Sequence, residues 1–124
     1  MSWIDKLTTR SKGQLTEQLA QQYLENLGLS AITQNFHSRF GEIDLVMQDQ
    51  DSLVFVEVKY RKNDQFGGAI STISQNKQQK LKLCAAFYFQ QAGLNEYNTP
   101  YRFDVVAMQG DLAKPHITWL KNAF

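Results

Sequence analysis

Residues 41–61 read GEIDLVMQDQDSLVFVEVKYR, and the fold is decided by their periodicity. The segment 53–60, LVFVEVKY, is rich in β-branched and aromatic residues and reads as a strand. Residues 41–47 alternate, with Ile43, Leu45 and Met47 on one side and Glu42 and Asp44 on the other. Asp49-Gln50-Asp51-Ser52 between them has turn chemistry. With Gln50-Asp51 as a two-residue loop, Asp49 lies opposite Ser52, Asp44 opposite Glu57 and Glu42 opposite Lys59. Opposed hairpin residues share a face, with Cβ atoms about 4.5–5.5 Å apart. This register predicts one polar face holding Glu42, Asp44, Glu57 and Lys59. Ile43, Leu45, Met47, Val54, Val56, Val58 and Tyr60 would form the apolar face. A one-residue slip would undo the arrangement.

Like charges directly opposed in a sheet are destabilising. Lys59, two residues from Glu57, gives some relief, and a bound divalent cation would give more. Hard cations take oxygen ligands. Asp44, Glu57 and the Val58 carbonyl could supply them, while Lys59 holds or deprotonates an attacking water or neutralises charge on a phosphate. The chemistry would be metal-assisted phosphodiester hydrolysis. An ordinary salt-bridged sheet face, with Glu42 paired to Lys59, explains the same residues about as well.

Outward from the hairpin, residues 12–27 form a helical pattern. Ser11 and Gln14 fit a capping box, and Leu15, Leu19, Tyr23 and Leu27 recur at helical spacing, widened by Ala20 and Leu24. Gly28 is a natural stop. Glu17 borders this stripe. It either points inward near the hairpin or is a solvated acid favoured by the helix dipole. Residues 30–36 read as a weaker strand, and 64–72, with Gly67-Gly68, as a loop. A second helix spans about 74–92, burying Leu81, Cys84, Ala85, Tyr88 and Ala92, with Gly93 as its stop. Residues 102–108 form another strand and 115–120 a short last one. The class is α/β: a mixed sheet flanked by helices in the order αβββαβ, with an extra C-terminal strand.

A chain of 124 residues fits one domain, 1–124, with its core over about 11–108. Two tryptophans, five tyrosines and eight phenylalanines against two prolines exclude disorder. No apolar run approaches the roughly 18 residues of a membrane span, and the N-terminal residues lack a signal-peptide pattern. The single Cys84 permits no internal disulfide and no zinc cluster, so a reducing cytoplasmic compartment is expected. It reads as a small core residue. His37 and His116 have no ligand spacing and read as structural. Asp104 could pair with Arg102 near the core edge.

Asp44 followed by Glu57-Val58-Lys59 on adjacent strands resembles the PD-(D/E)xK nuclease motif. More closely, the chain is similar to the YraN family, small bacterial predicted endonucleases related to Holliday junction resolvases. The resemblance rests on Glu17 and Ala20, Tyr23-Leu24, Gly28, Asn35, GEIDLV at 41–46, FVEVKYR at 55–61, FGG at 66–68, Lys77 and RFDVVA at 102–107. It implies a restriction-endonuclease-like fold and magnesium or manganese at Asp44 and Glu57. It also implies Lys59 as the catalytic lysine and Glu17 as the helix-borne acid completing the site.

Arg39, Arg61, Lys62 and Lys77 lie where they could position a phosphate backbone, whereas Lys80 and Lys82 read as solvated. The first expectation is therefore a metal-dependent endonuclease acting on DNA, branched or single-stranded, as a possible homodimer or with a protein partner. A non-catalytic nucleic-acid-binding module that works with a protein partner is the alternative; a net charge of only +1 weakly favours such a partner, while the triad of Asp44, Glu57 and Lys59 argues against the module. A protein–protein scaffold is the third.

Overall fold

The computed structural model describes residues 7–63 and 73–124. The expected 64–72 loop, its FGG motif and Trp3 lie outside the described residues. Seven elements follow in the order αβββαββ: α1 (Thr9–Asn26), β1 (Ser30–Ser38), β2 (Gly41–Asp49), β3 (Ser52–Arg61), α2 (Gln75–Ala92), β4 (Tyr101–Gln109) and β5 (His116–Leu120). The strands form one sheet in the order β1-β2-β3-β4-β5. All neighbours are antiparallel except β3 and β4, which run parallel. Parallel neighbours need a long crossover, and α2 lies within it. This is the expected mixed α/β architecture, with β5 as the additional strand.

The hairpin register is as expected from the turn to Leu45–Val56, but the expected pairs Asp44–Glu57 and Glu42–Lys59 lie beyond the end of the ladder and do not form. Asp49 pairs with Ser52, Met47 with Val54 and Leu45 with Val56. Gln50 takes the left-handed conformation that closes the turn, at φ 53°. Both sheet faces are covered. On one, Ala20 and Leu24 of α1 meet Leu45, Met47, Val54, Val56, Val106 and Met108. On the other, Leu81, Cys84, Ala85, Tyr88 and Phe89 of α2 meet Val46, Phe55 and Phe103. Phe55 is fully buried there, its ring edge-on to Tyr88 and Phe89 at centroid distances of 5.6 and 5.8 Å.

Several local expectations change. Thr8, not Ser11, caps α1; its hydroxyl accepts from the Ser11 amide at 3.1 Å, so the helix starts earlier. The buried line of α1 is Thr16, Ala20 and Leu24, while Leu27, at the C-cap, is 53% exposed. In α2, Phe89 rather than Ala92 completes the buried face, because Ala92 lies at the exposed last turn. Gly93 ends that helix at φ 69°, as expected. Cys84 is fully buried.

The larger correction concerns Ile43. It packs with Val46 on the α2 side, whereas Leu45 and Met47 face α1. The alternation reverses between Ile43 and Leu45, at Asp44. Opposite this point, between the pairs Gln34–Leu45 and Phe36–Ile43, Asn35 is left-handed at φ 53°. Asparagine tolerates that conformation better than most residues. The two strands thus flip together, and every side chain before Asp44 in β2 changes face.

Asp104 anchors the other end of the sheet. It is fully buried and accepts from Arg102 Nε at 3.0 Å, Trp119 Nε1 at 2.9 Å and the Asn122 amide at 2.8 Å. Arg102 extends the network to Asp49 at 2.8 Å. Removing one partner of a buried charged pair is strongly destabilising. Asp104→Ala should therefore lower the unfolding free energy by about 3 kcal/mol, read from urea denaturation at fixed pH. A loss within the scatter of surface substitutions, about 0.5 kcal/mol, would contradict the assignment.

Candidate functional site

The paired ladder between β2 and β3 ends at Leu45–Val56. Beyond it the Val58 amide donates to Asp44 Oδ2 at 2.8 Å, so a side chain replaces the next backbone bond. The two strands fork here, and Asp44 lies in the fork. Because of the flip at Asp44, its neighbours in the expected polar square separate. Glu42 turns towards α1, and Glu57 faces α2.

On the α1 side, carboxylate oxygens of Glu17, Glu42 and Asp44 lie within 4.8 Å of one another. Glu17 comes from the third turn of α1 and interacts with the Asn35 side chain. Glu42, expected opposite Lys59, pairs with His37 Nδ1 at 3.3 Å. On the α2 side, Glu57 is buried and its Oε1 meets Lys77 Nζ at 2.9 Å. Lys77 is in the first turn of α2, whose N-terminus is set by Ser74 accepting from the Lys77 amide at 3.2 Å. Lys59, two residues beyond Glu57, is half-buried.

Four acids around one fork repel one another. Burial, and then the charge of Glu57, push the Asp44 carboxyl from its ordinary 3.8 up to about 8; Glu17 and Glu42 add to this against the Val58 hydrogen bond. Burial also raises Glu17, with Asn35 pulling the other way. Lys59 is lowered, first by burial and then by Arg61, against the attraction of Glu57. Lys77 is raised by its hydrogen bond to Glu57, against its own burial. The fork therefore combines carboxylates whose ionisation is opposed with a lysine that gives up its proton more readily than usual. Perturbed groups gathered in a cleft mark functional sites.

Of the expected site residues, Glu17, Asp44, Glu57 and Lys77 come together. Val58 contributes its amide to Asp44. Arg39 lies in the turn between β1 and β2, its guanidinium 4.9 Å from the Phe40 ring centroid. Arg61 ends β3 and donates to the Tyr60 carbonyl at 3.1 Å; Lys62 follows, exposed. Glu42, Asn35 and His37 are site neighbours that sequence reasoning did not assign to the site. The signals were present, since Glu42 is part of GEIDLV and Asn35 is one of the positions carrying the family resemblance. His37 had none.

The comparisons agree with the resemblance carried by these residues. The model of an uncharacterised protein family, UPF0102, matches residues 16–108. The chain belongs to the UPF0102 family. The chain is 59% identical to a UPF0102 protein of Colwellia psychrerythraea over 129 aligned positions, covering 100% of both chains. It is 46% identical to one of Nitrosococcus oceani, covering 94% of each chain. It is also 46% identical to one of Aeromonas hydrophila, covering 92% of this chain and 85% of the relative. The UPF0102 match takes in Glu17, Asn35, Glu42, Asp44, Glu57, Lys59 and Lys77. No helix among the described residues is long and apolar enough to cross a membrane.

The raised Asp44 value gives a pH dependence with a defined sign. Between pH 3.8 and about 8 the folded state binds a proton that the unfolded chain has released. Folding stability from this group is therefore fully present below pH 3.8 and is lost as pH rises through about 8. Without divalent cations, Asp44→Asn should flatten this decline and be more stable than wild type at pH 8, as measured by thermal unfolding across pH. A steeper decline in the variant would refute the repulsion argument.

Proposed function

We propose that this UPF0102 member is a metal-dependent nuclease that hydrolyses phosphodiester bonds in nucleic acid, with DNA as the expected substrate. The observation that carries the reading is the fork itself: Asp44 half-buried among Glu17, Glu42 and Glu57, with Lys59 beside Glu57. The donor set suits a hard divalent cation, since all candidate ligands are oxygens. Asp44, with Glu17 and Glu42 within reach, would hold magnesium or manganese, and Glu57 and the Val58 carbonyl border the same fork. Such an ion supplies Lewis-acid polarisation of the phosphoryl oxygen and a lower pKa for bound water.

The protein's own residues divide the remaining work. Asp44 is held in place by the Val58 amide and orients the cation site. Lys59, with its lowered pKa, accepts a proton from the attacking water or neutralises charge developing on the phosphate. Lys77 neutralises Glu57 until a stronger cation competes for it. Arg39, Arg61 and Lys62 would attract the backbone without reading sequence.

The Lys77–Glu57 ion pair also favours a second reading, a non-catalytic nucleic-acid-binding module acting with a protein partner. A carboxylate satisfied by lysine has less need of a metal.

Calorimetric titration with manganese and magnesium, paired with cleavage of branched and single-stranded DNA, separates the two. The nuclease reading expects metal binding that Asp44→Ala abolishes. It expects Lys59→Ala to keep metal binding while slowing cleavage by ~10²–10⁴-fold. Nucleic-acid binding by wild type without metal binding would support the module instead.

A further inference from the structure

Two clefts meet at Glu42. One, of about 270 Å³, lies on the α1 side and is lined by Arg10, Gly13, Gln14, Glu17, His37 and Glu42 among others. The other, of about 390 Å³, lies on the α2 side and is lined by Glu42, Asp44, Lys77, Lys80 and Leu81. The carboxylates of the fork therefore stand between two recesses, each with basic residues in its lining. We propose that one single strand of nucleic acid lies across the fork. Its reacting phosphate would face Asp44, and neighbouring phosphates would be held by Arg10 on one side and Lys80 on the other. The proposal rests on the nuclease reading and adds the path of the substrate.

The electrostatics favour this path. A phosphate is repelled by the fork's acids unless a cation lies among them, so its neighbours need positive charge close by on both sides. Arg10 is in the first turn of an 18-residue helix, where the amide dipoles also favour an anion. Gly13, in the same wall, has open space where a side chain would begin, so a backbone can approach closely. Lys77 is engaged with Glu57, which leaves Lys80, one turn along α2, as the second ammonium of its cleft.

The cleft at the opposite end of the sheet makes a useful contrast. It is larger, about 820 Å³, but its Arg102 is already neutralised by Asp49 and Asp104. Asp51 and Lys121 add one charge of each sign to its wall. Its arginine is thus already committed to carboxylates. The two clefts at the fork lie beside different helices on opposite faces of the sheet. A flexible single strand can turn through such a course, whereas a duplex, with a persistence length of about 50 nm, resists so sharp a bend.

The test is binding of a labelled oligothymidylate strand, and of a duplex of equal length, in calcium, as a function of salt. Arg10→Gln and Lys80→Gln should each weaken single-strand binding. Each should also reduce the slope of log affinity against log salt by about 0.7, the value for one lost contact to a single strand. Lys121→Gln, in the opposite cleft, should change neither. Thermal unfolding and calcium titration of each variant establish that the fold and the metal site persist. Unchanged slopes for Arg10→Gln and Lys80→Gln, with wild type bound and metal binding intact, would overturn the path and leave the nuclease reading standing. An equal drop for Lys121→Gln, or binding of duplex alone, would overturn it as well. If wild type takes up neither calcium nor either oligonucleotide, the nuclease reading fails and the path with it.

Discussion

The hydrogen bond from the Val58 amide to the Asp44 carboxylate stands where β2 and β3 stop pairing. A buried amide without a partner is costly, so a strand cannot simply leave its ladder. Asp44 solves this by supplying a side-chain acceptor in place of the next carbonyl. The strands can then diverge, and the fork they leave is lined by side chains from α1, β2, β3 and α2. The left-handed Asn35 across from Asp44 lets β1 follow the same turn. Without this local device, Glu42 and Glu57 would share one sheet face, and Glu17 would have no acid to meet.

The two ends of the sheet treat an aspartate in opposite ways. Asp104 is buried among donors from Arg102, Trp119 and Asn122, so its charge is fully compensated and ties β4 to β5 and the C-terminal segment. Asp44 is half-buried with one backbone donor and three acids nearby, so its charge is opposed. The first arrangement stabilises the fold. The second lowers stability near neutral pH and stores an attraction for cations. Both rest on aromatic and aliphatic layers that hold the strands in register whatever happens at the fork. Stability and site chemistry are therefore separated along the strand direction.

Much of this was legible in the chain. The alternation of residues 41–47, the β-branched run of 53–60 and the turn chemistry between them fixed a hairpin whose register the structure reproduces from the turn to Leu45–Val56. Gly93 marked the end of α2, and the order of elements followed from periodicity. Misplacements were local where neighbouring residues competed for one role, as with Thr8 and Ser11 at the α1 cap. The site was legible as a set of residue types and less so as an arrangement. Strict alternation assigned Glu42 to the face of Glu57, whereas the flip at Asp44 sends it to α1.

By itself, then, the sequence determined the elements, the hairpin register and the presence of acids beside an E-x-K strand. These depend on local backbone preferences and on a period of two or 3.6 residues. Only the tertiary structure decided which helix covers which face, that β4 lies parallel to β3, and that Glu17 and Glu42 join Asp44 while Lys77 holds Glu57. Those outcomes depend on groups distant in sequence competing for the same buried donors and the same excess of negative charge. No short window of residues contains that competition.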